Sequence, residues 1–277
     1  MVKTIFTPEI NDYIRENIDK VKYKDMVIEI QEKFGRTFTA KQLGGRANNM
    51  GLKQFTSKEY DRNFFKEINT TEKAYWLGFI YADGWICQTK INAELGIELA
   101  SVDEAHLYKF RNALKANTTE IITSWKPEKY IKSMNRTIRA SETSKIRLYS
   151  KDLVNGLISH GVSLRKTYSA ISPDFKYSEE INLALLRGYF DGDGGLDKNG
   201  KIHFTAYSDV FLKKVAAFLK TLGVETYEIY YEREGKARLM VKEKSSLLFL
   251  SIIYEDTNYS FLDRKYFLYQ SLKNNLI

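Results

Sequence analysis

Two aspartates, Asp83 and Asp193, close two stretches that look like copies of one another: Trp76-Leu-Gly-Phe-Ile-Tyr-Ala-Asp83-Gly84 and Leu186-Arg-Gly-Tyr-Phe-Asp-Gly-Asp193-Gly194. In each, apolar residues recur at helical spacing and two small residues stand four apart, Gly78 with Ala82 and Gly188 with Gly192. On a helix that spacing puts both small residues on one face. Two such faces can pack almost backbone to backbone, since no side chain holds them apart. An aspartate at a helix C-terminus sits in the negative end of the helix dipole, and bringing two together adds like-charge repulsion. A divalent cation removes both penalties, and carboxylate oxygens are the hard ligands that Mg²⁺ prefers. Asp-Gly alone is a common turn dipeptide. The recurrence of small residue, three positions, small residue, Asp-Gly is what points to a shared metal site. Gly84 and Gly194 are expected to stop the helices in the left-handed conformation.

Both stretches resemble the paired motif of LAGLIDADG homing endonucleases, whose single-chain members carry two motif copies in two similar half-domains. Here the closing aspartates are 110 residues apart. The resemblance covers residues 65–277; the second copy is close to ideal. The first departs, with Trp76 and Leu77 in place of the opening Leu-Ala and Tyr81 where the family often has its first aspartate. The resemblance implies an α/β (α+β) protein: two pseudo-symmetric αββαββα half-domains with antiparallel, saddle-shaped sheets over duplex DNA. It further implies a monomeric, site-specific double-strand DNA endonuclease acting on a long, nearly asymmetric target. The cofactor would be Mg²⁺ or Mn²⁺, with Ca²⁺ binding without supporting cleavage. Asp83 and Asp193 would hold metal together with DNA phosphates, assisted by the carbonyls of Ala82 and Gly192. The family also places a basic residue near each scissile phosphate; Lys242 is the candidate in the second half, with Tyr149 or Lys151 in the matching region of the first.

Composition bounds the other possibilities. A chain of 277 residues can bury a full core in two or three units. No apolar run approaches a membrane span, and the N-terminus lacks the apolar core of a signal peptide. The single cysteine, Cys87, excludes an intramolecular disulfide and fits a cytoplasmic location. With three histidines and one cysteine, a structural zinc site lacks ligands. A net charge of +8 and 19 tyrosines favour a polyanionic partner, nucleic acid ahead of membrane.

Residues 1–55 read as a small helical module. Thr7 caps a helix from Pro8 to about Ile18, Lys22 to Phe34 forms a second that Gly35 ends, and Thr39 caps a third from Ala40 to Met50. Three short helices with a polar last one resemble the helix-turn-helix and Myb-like DNA-binding modules attached to phage endonucleases. Lys41, Gln42, Arg46, Asn48 and Asn49 would then reach bases and phosphates. The pair Gly44-Gly45 weakens the third helix, so a charged appendage with no DNA role stays open.

The first half-domain spans 65–160, a linker 161–178 carrying Arg165, Lys166 and Pro173 follows, and the second half-domain spans 179–277. In each, the motif helix precedes two strands, a helix, two strands and a helix, which is an internal duplication. Turns are expected at Ile91-Asn92 and Glu234-Gly235, and Ser101, Ser178 and Ser208 are the expected caps of their helices. Between Lys126 and Lys151 there are eight basic residues against two acidic ones. Strand alternation puts Lys145, Arg147 and Tyr149 on one outward face, and Lys201, His203 and Thr205, then Arg238, Met240 and Lys242, on another. Such faces suit a phosphate backbone and the wide major groove.

His203 could contact DNA or a water near the site, although a lone strand histidine is commonly an ordinary surface residue. His106 and His160 read as helix-surface residues. Asp191-Gly-Asp193 fails as a calcium loop, since Gly195 and Ile202 stand where ligands five and twelve are needed. Two other classes stay open or fall away. A non-cleaving nucleic-acid binder, either a maturase acting on intron RNA or a DNA-binding regulator, would keep the scaffold. An intein would need an N-terminal Cys or Ser and a C-terminal His-Asn, which this sequence lacks.

Overall fold

The computed structural model describes residues 6–18, 21–52, 60–89, 92–131, 136–164, 174–207, 209–232, 236–255 and 260–274. The chain divides into two compact units, Met1–Lys58 and Glu59–Ile277.

The first unit holds α1 (Pro8–Asn17), α2 (Tyr23–Phe34) and α3 (Ala40–Asn49). Their apolar stripes close on Ile10, Ile14, Met26, Ile30, Leu43 and Ala47, all fully buried. The Thr7 hydroxyl accepts from Ile10 N–H, and Gly35 ends α2 at φ 61°. Thr39 and Gln42 form a reciprocal capping box at the start of α3. That box offsets the weakness of Gly44-Gly45, and Gly44 lies under the Tyr23 ring, 3.4 Å from a Cβ built there.

The second unit begins its duplicated order with α4 (Thr71–Asp83), β1 (Gly84–Gln88), β2 (Ala93–Ala100), α5 (Glu104–Ala113), β3 (Ile121–Lys126), β4 (Lys129–Ile131), β5 (Arg136–Ile138), β6 (Ser141–Tyr149) and α6 (Lys151–Ser159). Its second half has α7 (Glu179–Asp193), β7 (Gly194–Leu196), β8 (Ile202–Ala206), α8 (Asp209–Thr221), β9 (Tyr230–Tyr231), β10 (Ala237–Met240), α9 (Glu243–Tyr254) and a closing α10 (Asp263–Asn274). The two four-stranded sheets have orders β1-β2-β6-β3 and β7-β8-β10-β9, and every pairing is antiparallel. The mixed α+β class with two matching halves is thus as expected. One core fills the first sheet's inner face with Leu95, Ile97, Ile146 and Leu148 under Leu107 and Phe110. The other repeats this with Ile202, Phe204 and Leu239 under Phe211, Leu212 and Val215.

Four details differ from the sequence reading. The basic stretch after Lys126 contains an extra antiparallel strand pair, β4 with β5, beyond the two strands expected there. A 3₁₀ turn, Ser101–Asp103, precedes α5, so Ser101 is not its N-cap. Ser178 makes no side-chain cap; Asn182 instead reaches back to both the N–H and the carbonyl of Tyr177. Gly84 and Gly194 are extended, at φ −78° and −79°, because each strand starts at the glycine itself. Glycine is required there for space: a Cβ at Gly194 would lie 2.5 Å from Phe190 O, and one at Gly84 2.9 Å from Ile80 Cα. Ile91, Ser208, Glu234, Gly235, Arg165, Lys166 and Pro173 lie outside the described residues.

Candidate metal centre and nucleic-acid face

The motif helices α4 and α7 pack at backbone contact. A Cβ built on Gly78 would lie 2.0 Å from Leu185 O, and one on Gly188 would lie 1.9 Å from Tyr75 O. No side chain larger than hydrogen fits at either crossing point. At the far end of the interface, a Cβ on Gly192 would lie 2.4 Å from Ala82 Cβ and 3.3 Å from Asp83 Oδ2. The Asp83 carboxylate is therefore set against the opposite motif, one residue from Asp193, and both aspartates are exposed. Their shared field shows on their neighbours. Burial, then Asp193, pushes the Tyr81 phenol up to about 12. Tyr189 is held well above its ordinary value by burial and then by Asp193, Tyr81 and Asp83.

These groups fit a divalent cation by donor chemistry, with two carboxylates converging where the helix dipoles disfavour negative charge. Among the described residues there is no cluster of three or more His, Cys, Asp or Glu able to hold an ion. Among the described residues the site offers two carboxylates and nearby carbonyls, which leaves positions for oxygens of water or of a bound phosphate.

Beneath this end lies a buried polar network that sequence reasoning missed. Asp191, 1% exposed, points inward. Its carboxylate accepts from Tyr75 OH at 2.8 Å, Tyr254 OH at 2.5 Å and Leu262 N–H at 2.8 Å. Burial raises its pKa, while Lys265 and these donors oppose the rise. Lys265, 3% exposed on α10, donates to the carbonyls of Phe190 at 2.5 Å, Asp191 at 3.0 Å and Gly194 at 2.5 Å. Burial brings its pKa down to about 8, with Asp191, Asp83 and Asp193 pulling the other way. The available signal was Arg187 and Asp191, opposite charges four residues apart among the apolar residues of the middle of α7.

His106 belongs to the same network and is not a surface residue. It is 2% exposed, and its Nε2 lies 2.9 Å from Tyr75 OH. Since Tyr75 gives its proton to Asp191, its oxygen accepts from Nε2–H of a neutral ring. Burial lowers the His106 pKa to about 3 from 6.5. The unfolded chain therefore binds a proton below pH 6.5 that the folded chain refuses, so stability is lost as the pH drops below that value. Between pH 7 and pH 5 the loss through this one group is expected to be about 2 kcal/mol. Urea unfolding at the two pH values should show a smaller drop for His106→Gln than for the parent. His160 is half-buried at the end of α6, its Nδ1 2.9 Å from Tyr177 OH.

On the outward sheet faces the register defines matching rows. Gly84 pairs with Ile97 and Ile97 with Ile146; Gly194 pairs with Phe204 and Phe204 with Leu239. Asp83 thus enters at the level of Glu98 and Lys145, and Asp193 at the level of Thr205 and Arg238. In the next row of each half, an aromatic ring covers a glycine, Trp85 over Gly96 and His203 over Gly195. His203 is half-buried, with its pKa lowered by burial and then by Arg238.

Lys145, Arg147 and Tyr149 share the first face, as alternation predicts, but acidic neighbours from β2 are interleaved with them. Arg147 lies 3.4 Å from Glu94, and Lys126 lies 2.5 Å from Glu98. Thr205, His203, Arg238 and Met240 form the second face, where Arg238 pairs with Glu232 at 2.8 Å. Lys201 is exposed just before β8. Lys242 caps the start of α9 and contacts Glu225 at 3.1 Å. The register sets it opposite Lys201, four positions along β8 from Thr205, which is about 13 Å of strand. In the first unit Asn48 and Asn49 are exposed, whereas Arg46 is half-buried, donating to Asn11 at 2.8 Å and lying over the Phe6 ring. Gln42 is committed to the capping box.

No described helix is long and apolar enough to cross a membrane. No curated protein matches the sequence significantly. Among solved structures, the chain is similar to mesophilic variants of the homing endonuclease I-DmoI, at 15% identity and a TM-score of 0.51, covering 77% of this chain and 99% of that one. It is likewise similar to I-DmoI in complex with DNA and Ca, at 14% identity and a TM-score of 0.52, with the same coverage. Residues 180–264 match the family model described as a LAGLIDADG-like domain. The chain therefore shares its fold with the homing endonuclease I-DmoI, and its second half matches a LAGLIDADG-like domain.

Proposed function

We propose that this protein is a site-specific, metal-dependent endonuclease of the LAGLIDADG homing type, acting on duplex DNA as a monomer. The observation that carries the reading is the placement of the Asp83 carboxylate against Gly192, so that two motif helices deliver Asp83 and Asp193 to one end of one interface. One aspartate per half suits a reaction that must happen once on each strand.

Asp83 and Asp193 would hold Mg²⁺ or Mn²⁺, with the carbonyls of Ala82 and Gly192 close by. The bound metal supplies Lewis acidity at the scissile phosphate and activates water for hydrolysis. The chain's own contribution is placement. The glycine-mediated helix contact fixes the separation of the two carboxylates, and the strands that leave at Gly84 and Gly194 carry the DNA-facing rows. Lys145 and Arg238 stand at the level where the aspartates enter, so they are better placed than Lys242 to meet the phosphates beside the cut. Arg147 and Arg238 would exchange their carboxylate partners for phosphate on binding. Exposed residues of α3, Asn48 and Asn49 among them, would extend the footprint.

Cleavage of a randomised duplex library with Mg²⁺, followed by footprinting on the selected site, tests this reading. Specific double-strand cutting is expected. Asp83→Asn and Asp193→Asn should each lower the rate at least a thousandfold, a loss in the range seen when essential catalytic groups are removed, while leaving binding intact. Binding without cutting, unchanged by either substitution, would instead show a non-cleaving DNA or RNA binder on the same scaffold.

A further inference from the structure

The ends of α4 and α7 present an electrostatic problem that the fold must solve even when no metal is bound. Two carboxylates and the last carbonyls of α7 converge there, and each contributes negative potential. Lys265 is a buried cation at this end, acted on by Asp191 first and then by Asp83 and Asp193. Its three ammonium protons are matched by the carbonyls of Phe190, Asp191 and Gly194, on both sides of the Gly192-Asp193 step. At 3% exposure it cannot reach DNA or solvent, so it is no phosphate ligand. It arrives on α10, the last helix of the unit, and α10 is itself pinned to the first half. Lys109 of α5 donates to Phe261 O at 2.9 Å and to Asp263 at 2.5 Å, and Arg264 pairs with Asp103 at 2.9 Å. A lysine that merely filled space would have its aliphatic stem buried and its head in water. This one has the head buried and saturated by the strand-entry carbonyls.

We propose that Lys265 is a positioning residue and resident counter-cation of the paired motif ends, holding the Asp191–Gly194 turn in shape and offsetting the charge of Asp83 and Asp193. The metal end is then assembled before metal arrives. This rests on reading Asp83 and Asp193 as metal ligands, although the coupling between Lys265 and Asp193 can be measured with no metal present.

Thermal unfolding of the full chain decides it, using the parent, Lys265→Gln, Asp193→Asn and the double variant, each with EDTA or with Mg²⁺. Lys265→Gln is expected to lower the midpoint by about 8 °C, on the scale of losing several buried hydrogen bonds in a unit of this size. Asp193→Asn should recover a substantial part of that loss, because the charge that Lys265 offsets is reduced. Mg²⁺ should raise the midpoint of Lys265→Gln by several degrees and leave the parent nearly unmoved. If Lys265→Gln does not fold, folding of Lys265→Gln in the Asp193→Asn background is the expected result. Strictly additive losses, or failure to fold in both backgrounds, would make Lys265 a mechanical brace and overturn the proposal. Recovery by Asp193→Asn with no Mg²⁺ effect on any variant would keep the counter-cation and discard the metal reading.

Discussion

Gly188→Ala is expected to destabilise the second unit by about 4 kcal/mol or more, at the far end of what single substitutions do. The added methyl would lie 1.9 Å from Tyr75 O, which is backbone within a helix and cannot turn aside. Relief requires α4 and α7 to move apart by more than an ångström, which opens the interface along its length. Gly78 meets Leu185 O in the same way, so the two crossing points cannot compensate for one another. Helix separation also withdraws Asp83 from Gly192, and misplacement on that scale costs catalysis about a hundredfold. Urea unfolding and cleavage of the selected duplex read the two effects separately. Gly45→Ala is the control, because nothing lies within 4 Å of its added Cβ and its helical backbone has no positive φ. Removing that glycine should stabilise the first unit by about 0.5–1 kcal/mol.

Asp191→Asn and Asp193→Asn should give opposite phenotypes from positions two residues apart. Asp191 is buried and accepts three hydrogen bonds from Tyr75, Tyr254 and Leu262, beside the Lys265 ammonium. Neutralising it removes the buried charge that faces Lys265 and puts an amide NH₂ where a carboxylate oxygen accepted. The expected loss is about 1–3 kcal/mol, the usual cost of leaving a buried hydrogen-bonding group without its partner. Asp193 is exposed at a helix C-terminus, so its neutralisation should leave the melting temperature unchanged or slightly raised while removing cleavage. A large drop in melting temperature for Asp193→Asn, or none for Asp191→Asn, would contradict the assignment of the two roles.

Sequence alone determined the order of the main elements and the faces on which they pack. The spacing of Gly78 and Ala82, and of Gly188 and Gly192, is a local pattern on a helix face, and it implied close helix packing before any contact was known. The alternation in β6, β8 and β10 and the caps at Thr7 and Thr39 are equally local. Each depends on residues within a turn or two of one another, where helix and strand periodicity dictate which side chains share a face.

Only the tertiary structure decided what depends on residues far apart in the chain. His106 read as surface because its own helix gives no sign that Tyr75 comes to cover it. Nothing near Lys265 in the chain signals its burial, since its carbonyl partners lie more than 70 residues earlier. The acidic neighbours Glu94 and Glu98 were visible in sequence, but their contacts with Arg147 and Lys126 required the β2–β6–β3 register. The same register separates Lys242 from the level of Asp193 and brings Arg238 to it. Periodicity fixes the face on which a strand residue points. The position along the neighbouring strand is set by the packing of two cores and one pair of helices, and no local pattern encodes it.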